Sequence, residues 1–189
     1  MKTKQQIAEM QDQNRRQLTF AVGLVLVAIA SRVVFNHFEI FNFSMVMSAA
    51  LFGGAFLTNR VLKFTVPVAA MLATDAIIGM YNPGIMLSVY GAFLLTVFLG
   101  DKFSTNSLRG FAGSVLGGSL AFFVLTNLAV FAFGDGTMYA HTWAGLALCF
   151  DQAIPFYRNT LLSDLLFSTV FFGGYELFKL RFLQPATVR

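Results

Sequence analysis

Apolar residues run along this chain in long unbroken blocks, unlike the alternation of half-buried strands or the one-sided stripe of surface helices. Six blocks stand out: Leu18 to Phe35, Met45 to Thr58, Phe64 to Met80, Ile85 to Gly100, Gly110 to Phe133 and Leu161 to Phe178. A helix rises 1.5 Å per residue, so about 20 apolar residues cross a ~30 Å hydrocarbon core. The pattern therefore predicts an all-α polytopic membrane protein with six transmembrane helices. The second block is short and spans only with help from Phe41 and Phe43 or by local thinning of the bilayer. Between the fifth and sixth, Trp143 to Ile154 is apolar but too short to cross, and Trp143 with the following Pro155 predicts an interfacial or re-entrant helix.

The flanks of these blocks are polar. Residues 1–17 are Gln-rich and predict a cytoplasmic arm or short surface helix, residues 18–182 the transmembrane domain, and residues 183–189 a cytoplasmic tail. Ala28-Ile29-Ala30 imitates a signal-peptidase site, but the long acidic-containing stretch before it is atypical of a signal peptide. Composition agrees with a lipid solvent: 57% of the 189 residues are hydrophobic and 12% charged, with 23 phenylalanines, about half the charge of a soluble domain. That mixture excludes intrinsic disorder.

The formal charge of +4 comes from 13 basic and 9 acidic residues. The basic residues do not form one patch, which excludes a nucleic-acid partner, and instead punctuate the apolar blocks. With six crossings and the N-terminus inside, Lys2, Lys4, Arg15, Arg16, Arg60, Lys63, Lys102, Arg109, Lys179, Arg181 and Arg189 fall in the cytoplasm, and Arg32 and Arg158 outside. This asymmetry is the positive-inside rule and predicts both termini to be cytoplasmic in a multi-pass inner-membrane protein. Removing the second crossing would swap the later loops and erase most of the bias.

Small residues mark packing faces. Gly110, Ser114 and Gly118 repeat every four residues, with Gly113, Gly117 and Ala121 on the adjacent row. Such stripes let membrane helices approach closely and predict a central fifth helix. Ala49 with Gly53, and Ala50 with Gly54, make a shorter stripe in the second block. The segments Leu51-Phe52-Gly53-Gly54-Ala55 and Phe171-Phe172-Gly173-Gly174-Tyr175 echo one another, which glycine pairs near basic flanks explain without a duplication.

Three carboxylates, Asp75, Asp164 and Glu176, fall inside predicted spans. At bilayer depth each costs about 2.5–3.5 kcal/mol or more, so each should face protein or water. Asp75, near mid-membrane, is either the buried anion of a substrate or ion site or a packing residue bonded through Thr74, Ser48 or Asn127. Asp164 reads as favoured by a helix N-terminus and Glu176 as paired with Lys179. The outward loops interleave polar groups with aromatic rings: Asn36, His37, Glu39, Asn42 and Ser44, then Tyr81-Asn82-Pro83-Gly84, then Asp135, Tyr139, His141, Asp151, Tyr157, Arg158 and Asn159. Individually these suit an interface belt, and together they suit a small-molecule cavity.

Enzyme signatures are missing: no H-E-x-x-H, no G-x-S-x-G, and Ser119 stands where the glycine spacing of Gly113 to Gly118 would need a P-loop lysine. No metal cluster or cofactor motif is present, and the lone Cys149 supports neither an internal disulfide nor a multi-cysteine site. The expectation is a non-enzymatic protein without cofactors.

Asn42-Phe43-Ser44, the Leu51 to Ala55 run, Thr74-Asp75-Ala76-Ile77-Ile78-Gly79, Thr126-Asn127, Pro155 to Leu161 and Gly173-Gly174-Tyr175-Glu176 together resemble a family of small uncharacterised bacterial integral membrane proteins. More distantly, size and topology are similar to the S component of energy-coupling factor (ECF) vitamin transporters. That resemblance implies capture of a vitamin-like nutrient near the outer face, and an energising module as partner. The first helix lacks the A-x-x-x-A pattern of members that share such a module, and Met80 and Tyr81 occupy the loop where cobalamin members carry a cysteine. The expected site residues are Asn42, Asp75, Asn127, Arg158 and Asn159. The rival expectation is a non-transporting subunit that packs on a partner membrane protein through the fifth-helix stripe, with a lipid-modifying enzyme as a third choice.

Overall fold

A computed structural model describes residues 3–103 and 107–182. Lys2, Arg189 and the expected tail 183–189 lie outside the described residues. The chain forms six helices: α1 (Lys4–His37), α2 (Val46–Phe56), α3 (Arg60–Ile78), α4 (Pro83–Phe103), α5 (Leu108–Phe133) and α6 (Trp143–Phe182). Five are long and apolar enough to cross a membrane, and α2 is the exception.

Polar arm and first span are one helix. Thr3 and Gln6 form a reciprocal capping box at its start, which satisfies two backbone groups that a helix end leaves open. The change of composition at Gln17 thus falls within a continuous rod. Gln17 itself receives the chain after α2, its side-chain oxygen accepting from the backbone N–H groups of Thr58 and Asn59 at 3.1 and 2.9 Å.

The helix α2 packs against all five others. Its 11 residues carry no charge, and nine of them are buried, as expected of a helix that is apolar all round. Small residues permit the enclosure: a Cβ on Gly54 would overlap the Val97 carbonyl of α4, and one on Gly100 of α4 would overlap the Leu51 carbonyl. The centre of the bundle is therefore α2, not α5. The Gly110, Ser114 and Gly118 face of α5 lies against α4, with Ser114 bonded to the Leu99 carbonyl and Gly118 beside Thr96. Gly113 and Gly117 face outward.

Around α2 the other helices form an arc in the order α1, α3, α4, α5, α6, each backbone packed on the next. The open seam between α6 and α1 is bridged by aromatic rings, Phe35 and Phe43 on Phe167, and Phe52 of α2 on Phe171 and Phe172. The two echoing segments thus pack on each other, yet their glycines differ. Gly53 and Gly54 have close neighbours, whereas Gly173 and Gly174 have open space, so the echo carries no repeated architecture.

One expectation is corrected along α6. The separate interfacial helix at Trp143 to Ile154 and the crossing at Leu161 to Phe178 belong to one helix of 40 residues. Pro155 removes a single N–H, the one that would reach the Asp151 carbonyl. Phe150 and Tyr157, on either side of the proline, both pack on Phe123 of α5, which holds the two halves in line.

Successive helices alternate in direction: the start of α3 meets Gln17 of α1 and, through Lys63, Asp101 near the end of α4, whereas Asp75 near the end of α3 meets Arg32 in the later part of α1 and Tyr90 early in α4. Lys4, Arg15, Arg16, Arg60, Lys63, Lys102, Arg109 and Lys179 consequently gather toward one end, the basic end. Replacing Gly54 with Ala should destabilise the protein by about 1–3 kcal/mol through overpacking, whereas Gly117→Ala should stay within about 0.5 kcal/mol; unfolding in detergent measures both.

Candidate functional site

Because α2 is short, it reaches only part of the way through the bundle: 11 residues at 1.5 Å each give about 16 Å of a ~30 Å core. Beyond its N-terminus, at the end opposite the basic one, lies a cavity of about 280 Å³. Its floor is Met47 in the first turn of α2. Its walls are Arg32 and Asn36 of α1, Met71 of α3, Val89 and Phe93 of α4, Phe122 of α5, and Thr160, Ser163 and Asp164 of α6. Residues Ile40 to Ser44 and Tyr81 cover it. A second lobe of about 200 Å³, between α4, α5 and α6, shares Asn42, Val89, Phe122 and Thr160 with the first.

The covering loop is held by several ties. Ser31 of α1 accepts from the Met45 N–H at 2.9 Å, and Asn159 of α6 donates to the Phe41 carbonyl at 2.9 Å. Glu39 and Asn42 both adopt φ of 59°, a left-handed conformation in which Asn is favoured among non-glycine residues. Gly79, at φ 133°, ends α3 in a region that side chains disfavour. Asn82 then starts α4, accepting from the Gly84 N–H at 2.8 Å and donating to the Phe133 carbonyl at 3.0 Å.

Behind one wall sits the main charge network. Arg32 Nη1 lies 2.7 Å from Asp75 Oδ1 and donates to Thr74 Oγ1, while the Tyr90 hydroxyl donates to Asp75 Oδ2 at 2.8 Å. Asp75 occupies the last turn of α3, where the helix dipole disfavours a negative charge. Arg32 and Tyr90 supply the compensation, and in doing so join α1, α3 and α4. Burial and the charge of Asp75 push the phenol of Tyr81 up to about 12, partly opposed by Arg32, so Tyr81 keeps its proton.

The opposite wall carries Asp164, which is 1% exposed and takes a hydrogen bond from Ser119 Oγ at 2.6 Å. Hydroxyl groups surround it: Ser48 donates to the Asp164 carbonyl at 3.4 Å, and Ser168 to Ser48 at 3.0 Å. The expected support of Asp164 by a helix N-terminus is corrected, since α6 begins at Trp143 and Asp164 lies deep within it. Glu176 does pair with Lys179, at 3.1 Å.

The five sequence-predicted residues separate into different places. Asn42 lines both lobes and Asn127 the second, where its amide donates to the Phe123 carbonyl. Asp75 stands behind Arg32 and lines neither lobe, and its partners are not Ser48 or Asn127. Asn159 ties the covering loop, and Arg158 is exposed and off both walls. Sequence reasoning missed Arg32 as the partner of Asp75, and Asp164 with Ser163 as cavity walls. The signal for Arg32 was present: it is the one charge in the first apolar block, and a charge at that depth requires an opposite partner.

Removing either partner of the Arg32–Asp75 pair, by Arg32→Met or Asp75→Asn, should cost about 3–5 kcal/mol, with the double variant less destabilised than the sum of the two; a double-mutant cycle on unfolding in detergent reads this. No curated protein and no solved structure matches the chain. A family model described as a family of unknown function (DUF6580) matches residues 12–187, and the chain belongs to that family.

Proposed function

We propose that this protein is a binding component of the cell's inner membrane that captures a small water-soluble ligand, of the size of a vitamin or smaller, in the cavity beyond α2. The observation that carries this reading is the cavity itself. An enclosed helix that stops part-way leaves space among the longer helices, and apolar side chains such as Met71, Val89 and Phe93 line that space together with the polar Arg32, Asn42 and Asp164. Pockets that combine apolar walls with a few placed polar groups are the usual form of small-molecule sites.

Orientation follows from charge. The basic end is cytoplasmic by the positive-inside rule, so the cavity faces outward, where a scarce solute would be met. Six helices with a ligand site at the outer end also suit the S-component-like reading, in which a membrane partner or energising module would drive release inward. Capture rather than catalysis is the proposal, since among the described residues no His, Cys, Asp and Glu gather as a metal site and neither histidine lines the cavity. A role as a scaffold docking through the Gly110, Ser114 and Gly118 face is disfavoured, because that face is occupied by α4 inside the bundle.

Two measurements test the proposal. Native mass spectrometry of the purified protein should find a small molecule retained by the wild type and lost from Val89→Phe, which fills the wall shared by both lobes; equal retention, or none in either, overturns it. On intact cells, a membrane-impermeant maleimide should label Met138→Cys and not Leu108→Cys, both exposed positions, with Cys149 buried and silent; the reverse pattern inverts the orientation.

A further inference from the structure

Two charged groups face the cavity, and they are in different electrostatic situations. Arg32 is already neutralised by Asp75 at 2.7 Å, and Asp75 takes a further hydrogen bond from Tyr90. An anion approaching Arg32 would compete with a carboxylate already in place. Asp164, by contrast, has no cationic side chain paired with it among the described residues; its carboxylate accepts from Ser119 alone, through Oδ2. Summed over Arg32, Asp75 and Asp164, the lining and its immediate support carry one uncompensated carboxyl group.

A buried carboxyl group in a medium of low dielectric can avoid a bare charge in two ways. It can hold a proton, or it can hold a cation. The surroundings of Asp164 fit the second as well as the first. It lies on the wall of a space large enough for a small organic molecule, and the same space is lined by the rings of Phe43, Phe93 and Phe122. Aromatic faces attract organic cations more strongly than anions, because the ring quadrupole places negative charge on the face.

We infer that the ligand of this cavity presents a protonated amine to the Asp164 carboxylate, with its apolar body among Phe43, Phe93 and Phe122, and that proton and ammonium alternate on that carboxylate. The inference rests on the capture reading above and names the chemical class that the site takes. Ser119 is the positioning residue that orients the carboxylate. On α6 itself the nearest charged or titratable groups are Tyr157, on the second lobe, and Arg158, which is exposed and off both walls. Across the cavity they are Arg32 and Tyr81, with Asp75 and Tyr90 behind them. The helix α2 carries no titratable residue, and that of α5, Arg109, lies at the basic end. The histidines stand off the cavity, His37 against Phe38 and His141 against Phe131.

Three probes of similar shape and different charge decide the matter: phenethylamine, 2-phenylethanol and 3-phenylpropionate, each titrated into the purified full-length protein while its thermal unfolding is followed. Phenethylamine should raise the Tm of the wild type by several degrees, the alcohol by less and the carboxylate not at all, and Asp164→Asn should lose the amine's effect. Should Asp164→Asn not fold, the wild type still decides. Phenethylamine should bind more weakly at pH 5 than at pH 8 because protons compete for the buried carboxylate, while 2-phenylethanol should bind equally at both. A stronger response to the carboxylate or the alcohol, or an amine affinity independent of pH, overturns the amine assignment and leaves capture standing. No response to any probe also overturns the amine assignment, and the Val89→Phe comparison then judges the capture reading separately.

Discussion

The architecture depends on one constraint: a helix too short to cross the hydrocarbon core is enclosed by five that are long enough. At 11 residues, α2 cannot present both ends to water across a ~30 Å core, and in lipid its terminal N–H and C=O groups would be unsatisfied. Enclosure solves this. The N–H of Met45 finds the Ser31 hydroxyl at one end, and at the other Leu57 bonds back to the Gly53 carbonyl while the Gly54 carbonyl accepts from Lys63. The same shortness leaves the cavity beyond its N-terminus, so fold and site have a single origin.

Two charge clusters stand at opposite ends of α3 and set its register against its neighbours. Near the start, Lys63 reaches Asp101 of α4 at 2.5 Å; near the end, Asp75 meets Arg32 of α1 and Tyr90 of α4. A slip of either neighbour by one turn would separate a cation from an anion in a medium where an unpaired charge is costly. These pairs are thus devices of specificity as much as of stability. The close backbone contacts at Gly54 and Gly100 act similarly, since only one alignment of α2 and α4 brings both glycines to carbonyls.

The cavity inherits its polarity from this arrangement. Arg32 lines it because α1 must bring a cation to Asp75, and Asp164 lines it because α6 passes the open N-terminal side of α2. Neither role is visible along one helix. Asp75, the carboxylate that looked most exposed to cost, is the one of the two with a cation beside it. Asp164, which seemed to have the support of a helix end, instead lies deep in a helix of 40 residues with a single hydrogen bond to its side chain.

What the sequence by itself determined is whatever depends on local composition: the apolar blocks that become helices, the shortness of the second, the gathering of basic residues toward one end, the Glu176–Lys179 pair one turn apart, and family membership through scattered polar positions. Tertiary structure decided the rest, because it depends on which helix faces which. The central position went to α2 rather than α5 since small residues serve equally at a centre or a flank, and only the neighbours tell them apart. Pro155 did not end a helix because partners on both sides, which no local rule contains, hold the axis. Arg32 found Asp75 forty-three residues away, a pairing that charge at membrane depth demands in kind but that only the packing of α1 on α3 assigns.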